Sequence, residues 1–308
     1  MTNLTRRDFV GMAAAAGLAG CCSCGCKRPE RLGVCSWSFR MPLDQVAAEM
    51  RKLNLHRIHL AIQPFLEGDA RHGAAEGADA RRKAEARLAS GEWVLSATML
   101  SFSYEDYSTL ETIRRTGGIV PDAHWEANKK LIRAAAKLTA ELKAPYLTLH
   151  AGFLDETNPK ALKTYTERVQ FIADACGEVG VKLLLESGQE TARDLAKFLG
   201  TVKGVGVNFD PANMILYGKG DPVAAIPLLA PWIEHIHVKD AKLTKTPGTW
   251  GEEVVWGDGE VNPPAFFAAL AKAGYAGAFA IEREVGDSAA RAADIAVAAK
   301  RFSAQFAG

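Results

Sequence analysis

The chain has 308 residues, 48% of them hydrophobic, and a formal net charge of +1. This length and composition suit one large globular domain or two small ones, and the near-neutral charge speaks against a surface for nucleic acid or anionic membranes. No apolar run reaches the roughly 20 residues that a membrane-spanning helix needs.

Residues 1–30 are predicted to be an export signal and linker, followed by a single folded domain at 31–308. Two arginines, at positions 6 and 7, precede a short Ala-rich apolar stretch, as in a twin-arginine signal. The run Leu18-Ala-Gly-Cys21 resembles a bacterial lipobox, in which Cys21 would be lipidated after cleavage. We therefore expect an exported protein, either periplasmic or held at the membrane only by this lipid. The alternative is an ordinary disordered or helical N-terminus.

Further along the chain, strand-like runs alternate with helical patterns, which predicts a parallel sheet covered by helices. The predicted strands lie at 32–37, 57–62, 93–99, 146–150, 181–187, 204–210, 233–240 and 277–282. The predicted helices lie at 42–53, 79–89, 123–142, 160–179, 191–199, 222–229, 263–273 and 288–302. The stretch before Gly77, the long segment between the third strand and the helix at 123–142, and residues 240–260 are predicted loops.

Eight strand-then-helix units without a linker predict a single (β/α)8 TIM barrel, which typically needs about 250 residues. The alternative is an open, doubly wound sheet. Such a sheet would be expected to carry a glycine-rich phosphate loop, and the sequence contains neither G-x-G-x-x-G nor a P-loop.

Four consecutive predicted strands end on side chains that can bind a metal: Glu186, Asp210, His237 and Glu282. The carboxyl ends of barrel strands meet at one face, so these residues should converge at the active-site end. Three carboxylates and an imidazole favour Mn2+ or Mg2+, with Co2+ and Zn2+ as alternatives. Taken singly, Glu186 suits a salt bridge and His237 a buried core histidine. The prediction of a metal site therefore rests on the placement of all four residues at strand ends.

Other residues near the strand ends are also candidates for the site, and two of them have two alternative roles. Alternation along the seventh strand places His235, His237 and Lys239 inside the barrel. His150, at the end of the fourth strand, is either a substrate contact or a further ligand. Trp37, at the end of the first strand, either stacks on a sugar or packs in the core.

The remaining histidines and cysteines of these strands and helices are predicted to be structural. His56 and His59 lie near the start and middle of the second strand, and Cys35 and Cys176 suit small core positions.

Short motifs from Leu32 to the C-terminus resemble the xylose isomerase-like barrel superfamily of sugar phosphate isomerases and epimerases. These motifs are Leu185-Glu186, Asn208-Phe-Asp-Pro-Ala-Asn213, His235-Ile-His-Val-Lys-Asp240, Trp256-Gly-Asp-Gly-Glu260 and Ile281-Glu282. Members include ketose 3-epimerases, inosose dehydratases, hydroxypyruvate isomerases and an apurinic endonuclease branch. Asn213 stands where many members have a histidine, which speaks against a trinuclear zinc site and DNA repair.

The resemblance implies that the four strand-end residues bind one divalent metal, with Mn2+ as first choice. It implies a sugar isomerase or epimerase in which Glu186 or Glu282 removes a proton next to a carbonyl, through an enediolate held by the metal. The residues expected to contact the sugar are His150, Asn213, Lys239 and Trp37.

Two alternatives remain for the function. One is a metal-dependent lyase of the inosose or 3-oxo-sugar type, which the His-x-Lys-Asp ending favours. The other is an exported sugar-binding barrel without chemistry. The expected partner is a small sugar, with no nucleic acid, and an oligomer is compatible with the sequence. Because no Arg/Lys cluster stands out, a free sugar or glycoside is favoured over a phosphorylated one.

Overall fold

A computed structural model describes residues 31–66 and 74–305. The predicted export segment at 1–30, including Cys21, therefore lies outside the described residues. Within the described ranges, no helix combines the length and the apolar character needed to cross a membrane.

Eight parallel strands close into a barrel in chain order, which confirms the predicted fold. Its strands are β1 (Leu32–Cys35), β2 (Arg57–Ala61), β3 (Val94–Met99), β4 (Tyr146–Leu149), β5 (Lys182–Glu186), β6 (Val205–Phe209), β7 (Ile233–Val238) and β10 (Ala278–Ile281). The ring closes where β1 pairs with β10, with Val34 opposite Ile281. The two further strands, β8 (Asp240–Lys242) and β9 (Glu252–Val254), form a separate antiparallel hairpin.

Helices cover the outside of the barrel. They are α1 (Leu43–Lys52), α2 (Ala74–Ala89), α3 (Leu110–Thr116), α4 (Trp125–Glu141), α5 (Pro159–Gly177), α6 (Ala192–Leu199), α7 (Pro211–Leu216), α8 (Pro222–Leu229), α9 (Pro263–Lys272) and α10 (Ser288–Ala304). Several begin at a side chain that caps the first turn. Thr191 accepts a hydrogen bond from the N–H of Asp194, and Asp287 accepts one from that of Ala290.

The structure corrects several predicted boundaries. Trp37 lies in a short 3₁₀ turn, because β1 ends at Cys35. Helix α2 begins at Ala74 rather than Asp79, and it passes through Gly77, where a Cβ would clash with the carbonyl of Pro64. Packing against the chain after β2 therefore outweighs the low helix propensity of this glycine.

Two predicted loops contain regular structure. The stretch 240–260 holds the hairpin of β8 and β9, and the long segment before α4 holds α3. Helix α7 was not predicted either, although Asp210 caps it by accepting the N–H of Asn213 and a proline occupies its first turn. A capping aspartate followed by proline is a helix-start signal that could have identified it.

The barrel interior is polar, unlike the packed aliphatic layers common in this architecture. His59, Asn208 and His235 are fully buried there. The two ring nitrogens of His235 contact Asn208 Oδ1 at 2.7 Å and Ser96 Oγ at 3.0 Å. The apolar core lies instead between the strands and the surrounding helices, where Phe209 stacks on Phe266. A hydrogen-bonded layer thus supports the carboxyl-terminal end of the barrel.

Candidate active site

The four strand-end residues predicted from the sequence come together around one imidazole nitrogen. His237 Nδ1 lies 3.4 Å from Glu186 Oε1, 3.3 Å from Asp210 Oδ2 and 3.2 Å from Glu282 Oε2. Glu186 ends β5, Asp210 follows β6, His237 belongs to β7 and Glu282 follows β10. Their four potential ligand atoms lie within 4.8 Å of one another, and all four residues are buried.

The chemistry of this cluster fits a divalent cation. A single ring nitrogen can donate one hydrogen bond, so His237 Nδ1 cannot satisfy three carboxylates. Buried carboxylates are costly unless they are paired or coordinate a metal. Three carboxylates with one imidazole form a mostly hard donor set, which suits Mn2+ and Mg2+ and accepts Co2+ or Zn2+.

Neighbouring charges favour the ionised forms of the two glutamates. Burial works against a charge on Glu282, yet attraction to Lys239 and His237 holds its pKa well below the ordinary value. Burial also opposes ionisation of Glu186, but His150 and His237 lower its pKa. Both side chains are therefore carboxylates at neutral pH, the form needed to hold a cation or accept a proton.

Lys239 is buried beside the cluster, and its ammonium group is paired with acidic side chains. Its Nζ donates to Glu282 Oε2 at 2.9 Å and to Glu284 Oε2 at 2.6 Å, and it lies 3.9 Å from Asp210 Oδ2. It also contacts Asn213 Oδ1 at 3.4 Å. Lys239 therefore balances part of the negative charge, and little of its own charge is left to attract an anionic ligand.

Three further predicted residues surround the two glutamates. His150 Nε2 lies 3.4 Å from Glu186 Oε1, and the buried His150 Nδ1 has no hydrogen-bond partner among the described residues. Asn213 Nδ2 donates to Glu186 Oε1 at 3.0 Å. Trp37 Nε1 donates to Glu282 Oε1 at 2.7 Å, so this indole orients a candidate ligand as well as lining the site.

A cavity of about 660 Å³ opens above the cluster. Five Phe, Tyr or Trp side chains line it: Trp37, Phe102, Tyr107, Tyr217 and Trp250. Tyr217 meets Trp250 edge to face, with ring centroids 4.9 Å apart. This volume and these aromatic faces suit a small polyol, whose C–H faces pack on rings while its hydroxyls bond to polar groups.

Several cavity residues were missed in the sequence. Tyr107, Tyr217 and Trp250 come from loops or from the end of a short helix, where no periodic pattern marks them. Glu284 is different, because it lies two residues beyond Glu282 in an extended segment. The alternation that placed His235, His237 and Lys239 together would also have placed Glu284 beside Glu282.

The two histidines at and just before β2 differ in their surroundings. His56 bonds through Nδ1 to the backbone oxygen of Glu92 at 3.2 Å and takes no part in the cluster. His59 Nδ1, in contrast, lies 3.1 Å from His237 Nε2. The prediction that His59 is only structural therefore misses its contact with a candidate ligand. Cys35 and Cys176 are buried as predicted, and Cys35 Sγ lies 3.6 Å from His237 Nε2.

Asp240 organises the loop that follows the β8–β9 hairpin. Its carboxylate accepts four backbone N–H bonds, from Ala241 (2.8 Å), Gly257 (2.9 Å), Gly259 (3.1 Å) and Val261 (3.1 Å). A Cβ at Gly259 would clash with this carboxylate, so glycine is required there. Asp258, in the same loop, pairs with Arg301 at 2.8 Å.

Comparison with known proteins adds to this geometry. A family model described as a xylose isomerase-like TIM barrel matches residues 61–304. No curated protein matches the chain significantly. Among solved structures, a xylose isomerase domain protein from Planctomyces limnophilus is 26% identical, with a TM-score of 0.76, over 85% of this chain and 91% of that one.

Two further solved structures share the fold at lower identity. A probable 3-DHS dehydratase of petrobactin synthesis from Bacillus anthracis is 17% identical, with a TM-score of 0.66, over 89% of this chain and 98% of that one. A D-psicose 3-epimerase from Clostridium cellulolyticum H10, solved with D-tagatose, is 16% identical, with a TM-score of 0.63, over 89% and 98%.

Proposed function

This chain belongs to the xylose isomerase-like TIM barrel family, and from that membership we propose that it is a divalent-metal-dependent isomerase or epimerase of an uncharged sugar. The observation that carries the proposal is the buried cluster of Glu186, Asp210, His237 and Glu282 at the floor of an aromatic-lined cavity. Glu282 lines the cavity directly, and Glu186 lies behind it, 3.4 Å from the cavity residue His150.

Glu186, Asp210, His237 and Glu282 would hold the cation, with Mn2+ as first choice. When bound, such a cation polarises the substrate carbonyl and acidifies the neighbouring C–H. The ordinary affinity order places Zn2+ above Mn2+, so the metal found in the cell also depends on availability.

Glu186 and Glu282 are the proposed acid–base pair, because each is an ionised carboxylate held by its own donors. Asn213 Nδ2 bonds to Glu186 Oε1, while Trp37 Nε1 and Lys239 Nζ bond to the two oxygens of Glu282. One glutamate removes the proton next to the carbonyl, and one of the two returns a proton to the other carbon or the other face.

Charge in the cavity favours an uncharged substrate. Among the described residues that line it, the acids are Glu105, Glu253, Glu282 and Glu284, and the only lysine or arginine is Lys239. Since Lys239 is already bonded to Glu282 and Glu284, a phosphate or carboxylate would meet repulsion without a clamp. His150, Asn213, Lys239 and Trp37 are the proposed hydroxyl and ring contacts.

A lyase at the same site is the second candidate function, because His150 can serve as a proton donor. Burial works against a charge on His150, but attraction to Glu186 raises its pKa. Within the part of the chain that the structure describes, its Nδ1 has no hydrogen-bond partner, and the residue lines the cavity, where it could protonate a departing hydroxyl. Lys239 suits that role less well, because the surrounding acids outweigh burial and raise its pKa well above the ordinary value.

The catalytic assignment is tested by neutralising each glutamate without changing its shape. We expect Glu186→Gln and Glu282→Gln each to abolish turnover. The matched control is Glu167→Gln on the exposed face of α5, which should keep full activity. Full activity of Glu186→Gln would overturn its assignment as a catalytic residue.

We also propose that residues 1–30 direct export, with Cys21 as the lipidated residue. Cell fractionation tests both parts. Arg6→Lys with Arg7→Lys should leave the protein in the cytoplasm, whereas Cys21→Ser should release it from the membrane. An unchanged distribution of either variant would refute the corresponding part.

A further inference from the structure

A second polar layer lies directly beneath the candidate ligands. Cys35, His59, Thr148, Asn208 and His235 are all fully buried inside the barrel. Of these, His59 on β2 contacts His237, the only imidazole among the four candidate ligands. Ring packing restricts its rotation, because Trp37 and His235 each meet the His59 ring edge to face with centroids 4.9 Å apart.

The donor and the acceptor of each hydrogen bond in this layer can be assigned, starting from Thr148. Thr148 Oγ1 donates to the backbone oxygen of Thr98 at 3.0 Å or to Met99 Sδ at 3.0 Å. Either bond uses the single hydroxyl hydrogen of Thr148. Thr148 Oγ1 is therefore the acceptor for His59 Nε2, which lies 2.8 Å away. The ring nitrogens of His59 touch no carboxylate, and its full burial favours the neutral ring.

A neutral His59 that donates through Nε2 must accept at Nδ1. Two atoms face that acceptor, His237 Nε2 at 3.1 Å and the weaker donor Cys35 Sγ at 3.9 Å, and the shorter contact identifies His237 as the partner. His237 Nε2 then carries a hydrogen, so Nδ1, the nitrogen that faces the three carboxylates, is the ring atom whose lone pair is available to a cation.

We propose that His59 is a positioning residue that fixes the tautomer of His237 and so prepares Nδ1 to bind a divalent cation. The inference rests on the metal site of the proposed function. A ligating histidine generally donates its other ring N–H to a partner that sets its tautomer and orientation. Here that partner is a second histidine, itself fixed by Thr148, in place of the more usual carboxylate or carbonyl.

Asn208 offers the competing arrangement. Its Nδ2 lies 3.1 Å from His237 Nε2 and 3.3 Å from Glu186 Oε2. If Asn208 donated to His237 Nε2, the ring proton would sit on Nδ1 and would block the lone pair. Asn208 Nδ2 can donate instead to the charged Glu186 Oε2. That bond leaves His237 Nε2 available to donate to His59.

Two substitutions of similar size separate hydrogen bonding from packing. His59→Asn keeps an acceptor near the position of Nδ1, whereas His59→Leu removes it. We expect His59→Leu to weaken Mn2+ binding by roughly 10- to 100-fold, and His59→Asn to retain much of the affinity. Electron paramagnetic resonance of free and bound Mn2+, titrated into metal-free protein, measures the affinity without any turnover. His56→Leu, just before the same strand, is the control and should bind as wild type.

Direct observation of the ring proton requires no variant. Long-range 1H–15N NMR of the metal-free wild-type protein reports which ring nitrogens of His237 carry a hydrogen, and we expect a hydrogen on Nε2, whether or not Nδ1 is also protonated. A ring without a hydrogen on Nε2 would overturn the inference, and so would equal Mn2+ affinity of wild type and His59→Leu. Equal losses in His59→Asn and His59→Leu would reduce His59 to a packing role. Failure of wild type itself to bind Mn2+ would instead overturn the metal site of the proposed function, and this inference with it.

Discussion

Glu190 gives the protein a pH-dependent stability that a single substitution can remove. It lies just beyond β5 and is buried. Burial raises its pKa from 4.5 to about 7, although attraction to Lys219 and His150 and a bond from the N–H of Gly188 act in the opposite direction. At about 1.4 kcal/mol per pH unit, this difference corresponds to roughly 3 kcal/mol between the two protonation states.

The direction of the effect follows from the raised pKa. The folded protein favours neutral Glu190, so the contribution of this residue is intact below about pH 4.5 and is lost as pH rises through about 7. Glu190→Gln keeps the shape of the side chain and removes its titration. We expect the variant to be more stable than wild type at pH 8.5, by up to about 3 kcal/mol, and nearly equal to it at pH 4.5.

Denaturant unfolding of both proteins between pH 4.5 and 8.5 measures this difference. Glu167→Gln, an exposed glutamate on α5, is the control and should differ from wild type by the same small amount at every pH. A difference between Glu190→Gln and wild type that does not change with pH would refute the reasoning. Lower stability of the variant at pH 8.5 would also refute it.

Three further substitutions test other parts of the site. Asp240→Asn replaces one accepting oxygen by a donor and leaves two backbone N–H groups unpaired, so we expect a loss of about 2–6 kcal/mol in denaturant unfolding. Trp37→Phe removes the bond to Glu282 Oε1 and should lower kcat by roughly 10- to 100-fold, as expected for a hydrogen bond to a charged group. Glu284→Gln frees part of the charge of Lys239, so a phosphorylated sugar should inhibit this variant more strongly than wild type in steady-state assays. Unchanged stability, unchanged kcat and unchanged inhibition, respectively, would contradict these expectations.

The barrel itself was predictable because its signal is periodic. Apolar runs of strand length alternate with amphipathic helices, and a polar strand-end residue follows four consecutive runs. Since the carboxyl ends of barrel strands share one face, the convergence of Glu186, Asp210, His237 and Glu282 follows from the strand assignments alone. The same alternation applied to β2 places Ile58 and Leu60 outside the barrel and His59 inside it. The sequence could therefore also have predicted that His59 lies near His237.

Residues contributed by loops were not predictable in the same way. The loop after the hairpin of β8 and β9 is held by Asp240, which accepts backbone N–H bonds from residues 17 to 21 positions further along the chain. Trp250 and Tyr107 reach the cavity through tertiary packing, which no local pattern records. The early start of α2 depends on the fit of Gly77 against Pro64, a contact between segments rather than a propensity.

Proton NMR of the purified, Mn2+-loaded protein in D2O tests the central claim most directly. The probes are uncharged ketoses, inososes and 3-oxo sugars. The proposed function predicts that deuterium enters at the carbon next to the carbonyl while an isomer or epimer appears. Exchange with an unsaturated product would assign the protein to the lyases. No exchange with any of these sugars, in a protein shown to hold Mn2+, would contradict an isomerase or epimerase function.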